Sequence, residues 1–495
     1  MFKYILLLLY FVHVNSESPI VDPEKTLVWG PGLKPDQIVL PARYFFIQAV
    51  DKNGKNFVHS PQQQFVINIK GNSPHGKCRS NVNTIDRGDG SAIVRYTIAD
   101  WCDNMEIEIK YNGSHVAASP YYTRETAYSE KCNCPQDLSL WLMNNDCPRS
   151  DKQIEWDLHS FKRVNFSAIR DNLLKRYNMP NSVSLCHYVV KNQGIYRQCY
   201  GKYTGFKMFM DATLLSLTRM AILPDMEFYL NLGDWPLSKK GGQQRTSGPY
   251  PIFSWCGSDD SHDIVLPTYD LTESTLESMG RVSLDMLSVQ RENYPWESKE
   301  TKAFWRGRDS RRERLDLLDL ARKHPDLINA SITNFFFFRD EEDKYGPTVA
   351  HISFMDFFKY KYQLNIDGTV ASYRFPYLLG GDAMVLKQIS PFYEHFYSKL
   401  VPFKHYVPFK RDLSDLLEKI KWAKENDERA KEIAAAGRAF AQENLMPQNI
   451  YCYHLALFKE WSTRLVSPIV VLPGMEKVEQ TSKCTCKSAY RKDEL

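Results

Sequence analysis

The sequence predicts a multidomain protein in which an N-terminal immunoglobulin-like β-sandwich precedes a larger α/β region of two Rossmann-like halves. The chain has 495 residues, well beyond the roughly 100–200 residues of one domain. Short apolar and β-branched segments separated by turn residues fill its first quarter, which is typical of all-β domains. Helical and strand patterns alternate after residue 150, which is typical of α/β layers.

The composition excludes two classes of protein. Apolar residues make up 43 % of the chain and charged residues 25 %, which is globular composition rather than that of a disordered chain. The formal net charge is only +4 over the whole length. Because nucleic-acid binders carry a strongly basic surface, we predict no nucleic-acid partner.

The two ends of the chain predict its compartment. Residues 1–18 have the pattern of a secretory signal peptide, with Lys3 followed by the apolar run Tyr4–Val14. This run is about half of the roughly 20 residues that cross a bilayer, so we expect cleavage and no membrane insertion. The chain ends in a tetrapeptide that the retrieval receptor of the endoplasmic reticulum reads, Lys492, Asp493, Glu494 and Leu495. Together these ends predict a protein of the endoplasmic reticulum lumen that binds the KDEL receptor.

The cysteine and asparagine patterns agree with an oxidising, glycosylating compartment. The chain has 11 cysteines, which we expect to form disulfides with at least one left unpaired. The pairs Cys132/Cys134 and Cys484/Cys486 have a one-residue spacing that fits structural zinc poorly, so disulfides are the preferred interpretation. Three Asn-x-Ser/Thr sequons predict N-glycans, at Asn112, Asn165 and Asn329.

The predicted sandwich spans residues 19–130. Its strands are expected at Tyr44–Val50, Phe65–Ile69, Ala92–Thr97 and Met105–Tyr111. Cys78 and Cys102 could bridge inside this domain. The motif Trp29-Gly30-Pro31-Gly32-Leu33, followed by an aromatic strand and a turn, resembles the start of a filamin-type repeat. Since no catalytic cluster is visible here, we expect the domain to contact a substrate or partner or to support the rest of the chain.

A Cys-rich linker is predicted at residues 131–150, the α/β region at 151–473 and a C-terminal tail at 474–495. Apolar spacing predicts helices at Phe209–Met220, Arg311–Lys323, Ser414–Glu425, Glu428–Asn444 and Asn449–Leu465. Strands are predicted at Met226–Leu232, Tyr362–Ile366 and Ala383–Leu386. About 320 residues of such alternation suffice for two halves that face a cleft.

Asp234 is a candidate general base. An apolar strand runs directly into Gly233-Asp234, and Trp235-Pro236 then stops regular structure. Because the carboxyl ends of strands line the ligand crevice of an α/β sheet, Asp234 is expected to project into it. A carboxylate there can accept a proton from an attacking hydroxyl. The alternative is a turn aspartate that caps backbone amides.

Two basic segments are candidate anion sites. Phe304–Arg314 contains five arginines and leads into a helix, where positive side chains oppose the helix dipole unless an anion is bound. Tyr360–Phe375 combines a strand, an Asp367-Gly368 turn and Arg374, an arrangement that suits phosphate. The alternatives are a solvated helix start and an ordinary strand-to-helix loop.

Several motifs together resemble the Rumi-type protein O-glucosyltransferases, the capsule-associated-protein-like glycosyltransferase family. The matching stretches, in order, are Pro224–Glu227, Asp234–Pro236, His262–Ile264, Trp305–Gly307 and Tyr360–Phe375. The resemblance implies a GT-B fold and an inverting enzyme that transfers glucose from UDP-glucose to serine on folded EGF-like repeats, with UDP-xylose as a further donor. It also implies that no metal or other cofactor is needed. Expected partners are secreted and membrane proteins with EGF repeats, such as Notch-type receptors.

The resemblance also implies residue roles. Asp234 would be the catalytic base. Arg314 and Arg374 would hold the diphosphate, with Arg308 nearby. The loop that lines the nucleotide site would be Thr369, Val370, Ala371, Ser372 and Tyr373.

Two other interpretations remain open at this stage. The acidic segment Asp259–Asp263 superficially suits Mn²⁺ and a metal-dependent GT-A enzyme, although a solvated turn fits it better. In the second interpretation the protein is a non-catalytic lumenal chaperone or lectin-like binder of glycoproteins.

Overall fold

The computed structural model describes residues 20–36, 43–86, 88, 90–129, 131–180, 182, 184–241, 249–275, 294–352, 354–480 and 484–485. The predicted signal peptide and the C-terminal tetrapeptide lie outside these residues. Within the described ranges, no helix has the length and apolarity needed to cross a membrane.

The N-terminal region is a β-sandwich of two antiparallel sheets. In sheet order the first contains Leu27–Trp29, Arg43–Gln48, Ser91–Ile98 and Ser80–Asp86. The second contains Ala127–Tyr128, Trp101–Tyr111, Val66–Ser73 and Gly76–Lys77, with Ser114–His115 and Tyr121–Tyr122 also paired to its long strand. The Cys78–Cys102 disulfide lies within this domain, as the sequence allowed. The predicted sandwich is confirmed.

One strand of the sandwich contributes to two hydrophobic cores. In Arg43–Gln48, Phe45 and Ile47 belong to the core between the two sheets. Tyr44 belongs to the core of the α/β region, and Phe46 packs against that same core. Because successive side chains of a strand point to opposite faces, the outer face of this strand packs on the α/β region.

The junction and the C-terminal segment are both packed into the α/β region. Within the predicted linker, the helix Leu138–Asn144 buries Leu138 and Trp141 in the main core. Cys132 is bonded to Cys484. Cys147 is bonded to Cys452 on the last long helix. Part of the predicted tail, Glu476–Val478, forms an edge strand.

The first half of the α/β region contains a mixed sheet. In sheet order its strands are Ile264–Val265, Ile252–Ser254, Met226–Asn231, Leu185–Lys191, Gly194–Tyr200 and Glu476–Val478. The first three are parallel and the others pair antiparallel. Its helices are Lys152–Leu158, Phe166–Tyr177, Lys207–Met220 and Tyr269–Thr275. The fully buried strand Met226–Asn231 leads to the Asp234 loop.

The second half contains a five-stranded parallel sheet. In sheet order its strands are Ile328–Asn334, Glu300–Arg308, Tyr360–Asn365, Met384–Gln388 and Val407–Phe409. Its helices are Arg312–Lys323, Glu342–Tyr345, Phe375–Gly380, Leu416–Glu425 and Asp427–Asn444. Counted along the chain, the strand order is 2-1-3-4-5. In this doubly wound order, ligands bind where the order reverses, outside the carboxyl ends of strands 1 and 3.

A strand pair and a long helix are among the elements that connect the two halves. The short strand Gly257–Ser258 of the first half pairs with Phe392–Tyr393 of the second. The helix Pro447–Ser462 follows the second half and returns to the first, where Leu455, Phe458 and Trp461 are buried. The predicted arrangement of two α/β halves is confirmed.

Candidate active site

A cleft of about 550 Å³ lies between the two halves, at the carboxyl edge of the parallel sheet. The first half contributes Asp234, Tyr269 and Asp270. The second half contributes Arg306, Gly307, Arg308, Ser310, Arg314, Thr333, His351, Ile352, Phe354, Phe357, Gly368, Thr369, Val370, Ala371, Ser372, Tyr373, Arg374 and Tyr377. All nine residues predicted as base or donor-binding groups therefore line one cavity, although they are up to 140 positions apart in the chain. Their individual roles stay predictions.

Two buried side chains hold the loop that carries Asp234. The Asn231 amide donates hydrogen bonds to the Trp235 carbonyl at 2.7 Å and to Ser254 Oγ at 3.1 Å. Its oxygen accepts from the Gly233 backbone N–H at 2.9 Å. Asp234 is thus bracketed by bonds to the residues on either side of it.

The other side chain is Asp263. Its carboxylate accepts from the backbone N–H groups of Leu237 and Ser238 at 2.9 and 2.7 Å, and from Ser254 Oγ at 2.6 Å. Burial raises the pKa of Asp263 to about 6, while these hydrogen bonds act in the opposite direction. Asp263 therefore fixes the far end of the loop.

The Asp234 carboxylate is suited to accept a proton. It forms no hydrogen bond with the part of the chain that the structure describes, so its oxygens face the cleft unengaged. Partial burial raises the pKa of Asp234, and the nearby charge of Arg308 lowers it. The raised pKa makes it a stronger base than an exposed aspartate, provided that it is ionised at the working pH.

Two guanidinium groups form the positive wall. Arg314 donates to the carbonyls of Asp367, Arg308 and Ile366 at 2.8, 2.9 and 3.2 Å. Arg374 donates to the Arg306 carbonyl at 2.6 Å. Burial, followed by the charge of Arg374, lowers the pKa of Arg314 to about 9, and burial lowers that of Arg374 to about 10.

Both groups remain cationic at neutral pH, yet their acceptors in these contacts are neutral carbonyls. The charge of Arg314 is partly offset by the nearby Asp367 carboxylate, whereas the pKa of Arg374 is affected by burial alone. The positive charge of this wall favours an anion in the cleft. Arg314 uses most of its N–H groups to link the segment after Arg308 to the loop that follows the strand Tyr360–Asn365. It is consequently placed more to shape the wall than to grip a ligand, whereas Arg374 has more of its donors left.

The loop after the strand Tyr360–Asn365 is held against the arginine segment. Arg311 donates to the carbonyls of Gly368 and Thr369 at 2.8 and 2.9 Å. A Cβ atom at Gly368 would lie 3.1 Å from the Arg314 guanidinium, so glycine allows this close approach. The residues that follow, 369–374, line the cleft.

Several cleft residues were not predicted from the sequence. Tyr269 is one: its ring meets that of Tyr373 edge to face at 5.5 Å. Arg306 belongs to the basic segment, and it donates to the Asn329 side chain at 2.7 Å. Thr333, His351 and Tyr377 carry no motif, because isolated residues brought together by folding leave no local signal.

The acidic segment that suggested a metal does not line the cleft. Asp260 pairs with Lys239 at 2.8 Å, and Asp263 is occupied by the bonds described above. Among the described residues, no three His, Cys, Asp or Glu side chains are grouped to hold a metal ion.

The three sequons lie in different environments. Asn112 is exposed in a turn, and Asn165 is exposed at the start of a helix, where only its oxygen is used as a cap. Asn329 is half-buried in a strand. Its nitrogen donates to Tyr360 Oη at 2.8 Å, and its oxygen accepts from Arg306. A glycan would have to be attached to this half-buried nitrogen, which already contacts Tyr360, so we expect glycans on the exposed Asn112 and Asn165 only.

The sequence suggested only the Cys78–Cys102 pairing and left the others open. Besides Cys132–Cys484 and Cys147–Cys452, the described residues contain Cys186–Cys199, which crosslinks two neighbouring strands of the first half. Cys256 is unpaired and buried, as the odd cysteine count required.

Comparison with known proteins gives two family matches. The glycosyl transferase family 90 model matches residues 143–494, and the filamin/ABP280 repeat model matches residues 20–122. The chain is 51 % identical over 478 residues to protein O-glucosyltransferase 2 of Danio rerio, covering 95 % of this chain and 94 % of that protein. It is 47 % identical over 490 residues to protein O-glucosyltransferase 3 of Homo sapiens, covering 97 % and 96 %.

Solved structures are more distant. TarM has a TM-score of 0.30 at 11 % identity, covering 84 % of this chain and 73 % of that one. Anabaena Alr3699/HepE in complex with UDP and glucose has a TM-score of 0.25 at 12 % identity, covering 34 % and 50 %. The resemblances inferred from the motifs are confirmed by the two family matches.

Proposed function

Because the chain belongs to glycosyl transferase family 90, we propose that its cleft transfers glucose from UDP-glucose to a serine hydroxyl of a folded EGF-like repeat, with inversion. The observation that carries the proposal is the position of Asp234 in the same cavity as Arg308, Arg314 and Arg374. The names of the close relatives, protein O-glucosyltransferases 2 and 3, support glucose as the transferred sugar.

In the proposed reaction, Asp234 takes the proton of the serine hydroxyl as the oxygen attacks the anomeric carbon. The attack comes from the face opposite UDP, so the bond between sugar and diphosphate breaks as the new bond forms. The α-linked donor then gives a β-linked product. The leaving diphosphate gains negative charge, which the arginine wall stabilises without a metal ion.

UDP-xylose is a second donor in this proposal, since its sugar differs from glucose only in lacking the exocyclic hydroxymethyl group. The predicted signal peptide and C-terminal tetrapeptide support the endoplasmic reticulum lumen as the site of the reaction and the KDEL receptor as a partner. Acceptors there would be secreted and membrane proteins with EGF repeats, including Notch-type receptors.

The test is transfer by the purified full chain from UDP-glucose to a folded EGF-like repeat, followed by mass spectrometry of the acceptor. We expect Asp234→Asn to lower kcat about 10²–10⁴-fold, because general-base catalysis is lost. UDP affinity should stay within about twofold, since the arginine wall is unchanged.

The matched control is Asp260→Asn, an acidic residue outside the cleft, which should leave kcat unchanged. Full activity of Asp234→Asn would contradict the base assignment, and loss of activity in EDTA would contradict the metal-free part of the proposal. A parent protein that binds EGF-like repeats but transfers neither glucose nor xylose would instead be a lectin-like or chaperone protein.

A further inference from the structure

A second cavity, of about 510 Å³, lies apart from the candidate active site. It is lined by the helix Lys152–Leu158 and the residues after it, by the segment 261–263 and by Tyr393 of the second half. Its lining and that of the cleft have no residue in common. Cavities of this size are typical of binding sites for small molecules.

The charges in the lining of this second cavity are balanced. Lys152 and Lys240 are opposed by Glu155 and Asp263, while burial raises the pKa of Asp157 to about 8. At neutral pH Asp157 is therefore mostly protonated, and the two lysines face two remaining carboxylates. Because neither sign of charge dominates, the lining favours a neutral ligand over an anion or a cation.

Neutral polar groups in the lining have hydrogen-bonding capacity to spare. The Tyr393 hydroxyl forms no hydrogen bond with the described parts of the chain, and its ring packs against Gly257, where a Cβ atom would lie 2.3 Å from it. His262 contacts Ser160 Oγ through Nδ1 at 3.3 Å, which leaves Nε2 without a partner among the described residues. Burial lowers the pKa of His262, so its imidazole is neutral at neutral pH and can both donate and accept.

Trp156 adds an aromatic surface to these polar groups. It lines the cavity and is 67 % exposed. One exposed aromatic residue is common by itself. A sugar, however, has C–H groups on the face of its ring that pack on an aromatic side chain, and hydroxyls at its edge that both donate and accept hydrogen bonds. An exposed indole beside neutral polar groups therefore matches a sugar better than a charged or a purely apolar ligand.

We propose that this second cavity binds a neutral sugar ring, with Trp156 stacked on the ring and the side chains of Tyr393 and His262 hydrogen-bonded to its hydroxyls. The site does not depend on the proposed function, because no residue of the cleft takes part. The sugar would be one unit of a glycan on a glycoprotein. Two sources share this chemistry, the mannose units of N-linked glycans and β-linked glucose on serine, and the experiment distinguishes them.

The test is saturation-transfer NMR on the full chain in the presence of UDP. The probes are methyl α-D-mannopyranoside for the first source and methyl β-D-glucopyranoside for the second. We expect saturable binding of at least one probe. Trp156→Ala should raise its Kd about tenfold or more, because the stacking surface is lost. Trp156→Phe should keep the Kd within about threefold, because an aromatic ring is retained.

Two further variants show whether the effect is local. Tyr393→Phe removes only a hydroxyl and should raise the Kd severalfold, because one hydrogen bond to the sugar is lost. Tyr122→Ala is the matched control, since it removes a ring that is also 67 % exposed but lies on the sandwich. It should leave the Kd within about twofold. The melting temperature of Trp156→Ala should equal that of the parent, because the ring is exposed.

Binding of neither probe by the folded parent overturns the proposal. A Kd that Trp156→Ala leaves unchanged overturns it as well, since the sugar would then be bound elsewhere. A parent that transfers no sugar but binds a probe through Trp156 contradicts the proposed function and supports this second site.

Discussion

At the scale of single residues, the proton affinity of Asp234 depends on two opposing effects. Burial raises its pKa, and the charge of Arg308 lowers it. Because Asp234, as the proposed base, must be ionised to accept a proton, kcat/KM should rise with pH along an acidic limb that reports this pKa. Arg308→Gln removes the lowering effect, so the limb should move to higher pH. The measurement is a pH profile of kcat/KM for glucosyl transfer.

The pH at which the acidic limb lies distinguishes a change in the pKa of Asp234 from a loss of donor binding. A loss of donor binding lowers kcat/KM at every pH and leaves the limb at the same pH. Arg312→Gln is the matched control, because Arg312 pairs with Glu341 and does not contribute to the pKa shift of Asp234. A limb that stays in place in Arg308→Gln, or moves equally in the control, would mean that the base is another group.

At the scale of elements, local patterns predicted many segments, and tertiary contacts determined the rest. The helix predicted at Phe209–Met220 is observed at Lys207–Met220, because its apolar spacing is strong. The strand Glu300–Arg308 was not predicted, since charged residues interrupt its alternation. It forms because parallel neighbours pair with both of its edges. The arginine cluster was visible in the sequence, but the strand order that places it beside Asp234 was not.

The Asp234 loop gives a prediction at the same scale. Asn231→Ala removes the hydrogen bonds that bracket Asp234 and leaves the Gly233 N–H and the Trp235 carbonyl without this partner. Unpaired groups of this kind cost about 1–3 kcal/mol, so the melting temperature should fall. Because the base loses its fixed position, kcat should fall about 10- to 100-fold, since small misplacements cost this much. In the proposed function the donor is held by the other half, so its KM should change little.

Asn444→Ala is the control for stability alone. Asn444 donates to the Phe440 carbonyl at 3.0 Å on a helix outside the cleft lining. It should lower the melting temperature without lowering kcat. If kcat of Asn231→Ala is unchanged at a temperature where the variant is folded, the loop does not need Asn231 to position the base.

At the scale of the whole molecule, the sandwich and the α/β region share a hydrophobic contact through Tyr44. Tyr44 is 4 % exposed and belongs to the α/β core, while Phe45 and Ile47 on the same strand belong to the sandwich core. Two domains that share a buried aromatic residue should unfold together, because unfolding either domain exposes the apolar surface that the other one buries against it. Tyr44→Ala should remove this coupling at a cost of about 3–5 kcal/mol, as for other large aromatic truncations.

Differential scanning calorimetry of the full chain should then show one transition for the parent and two for Tyr44→Ala, with the sandwich melting separately. The control is Ile47→Ala on the opposite face of the same strand. It weakens the sandwich core but leaves the contact between domains, so its unfolding should remain a single transition at lower temperature. A single, unshifted transition in Tyr44→Ala would mean that the disulfides and the remaining contacts couple the domains without Tyr44. In that case the outward-facing side chains of the strand Arg43–Gln48 would not determine how the sandwich packs on the α/β region.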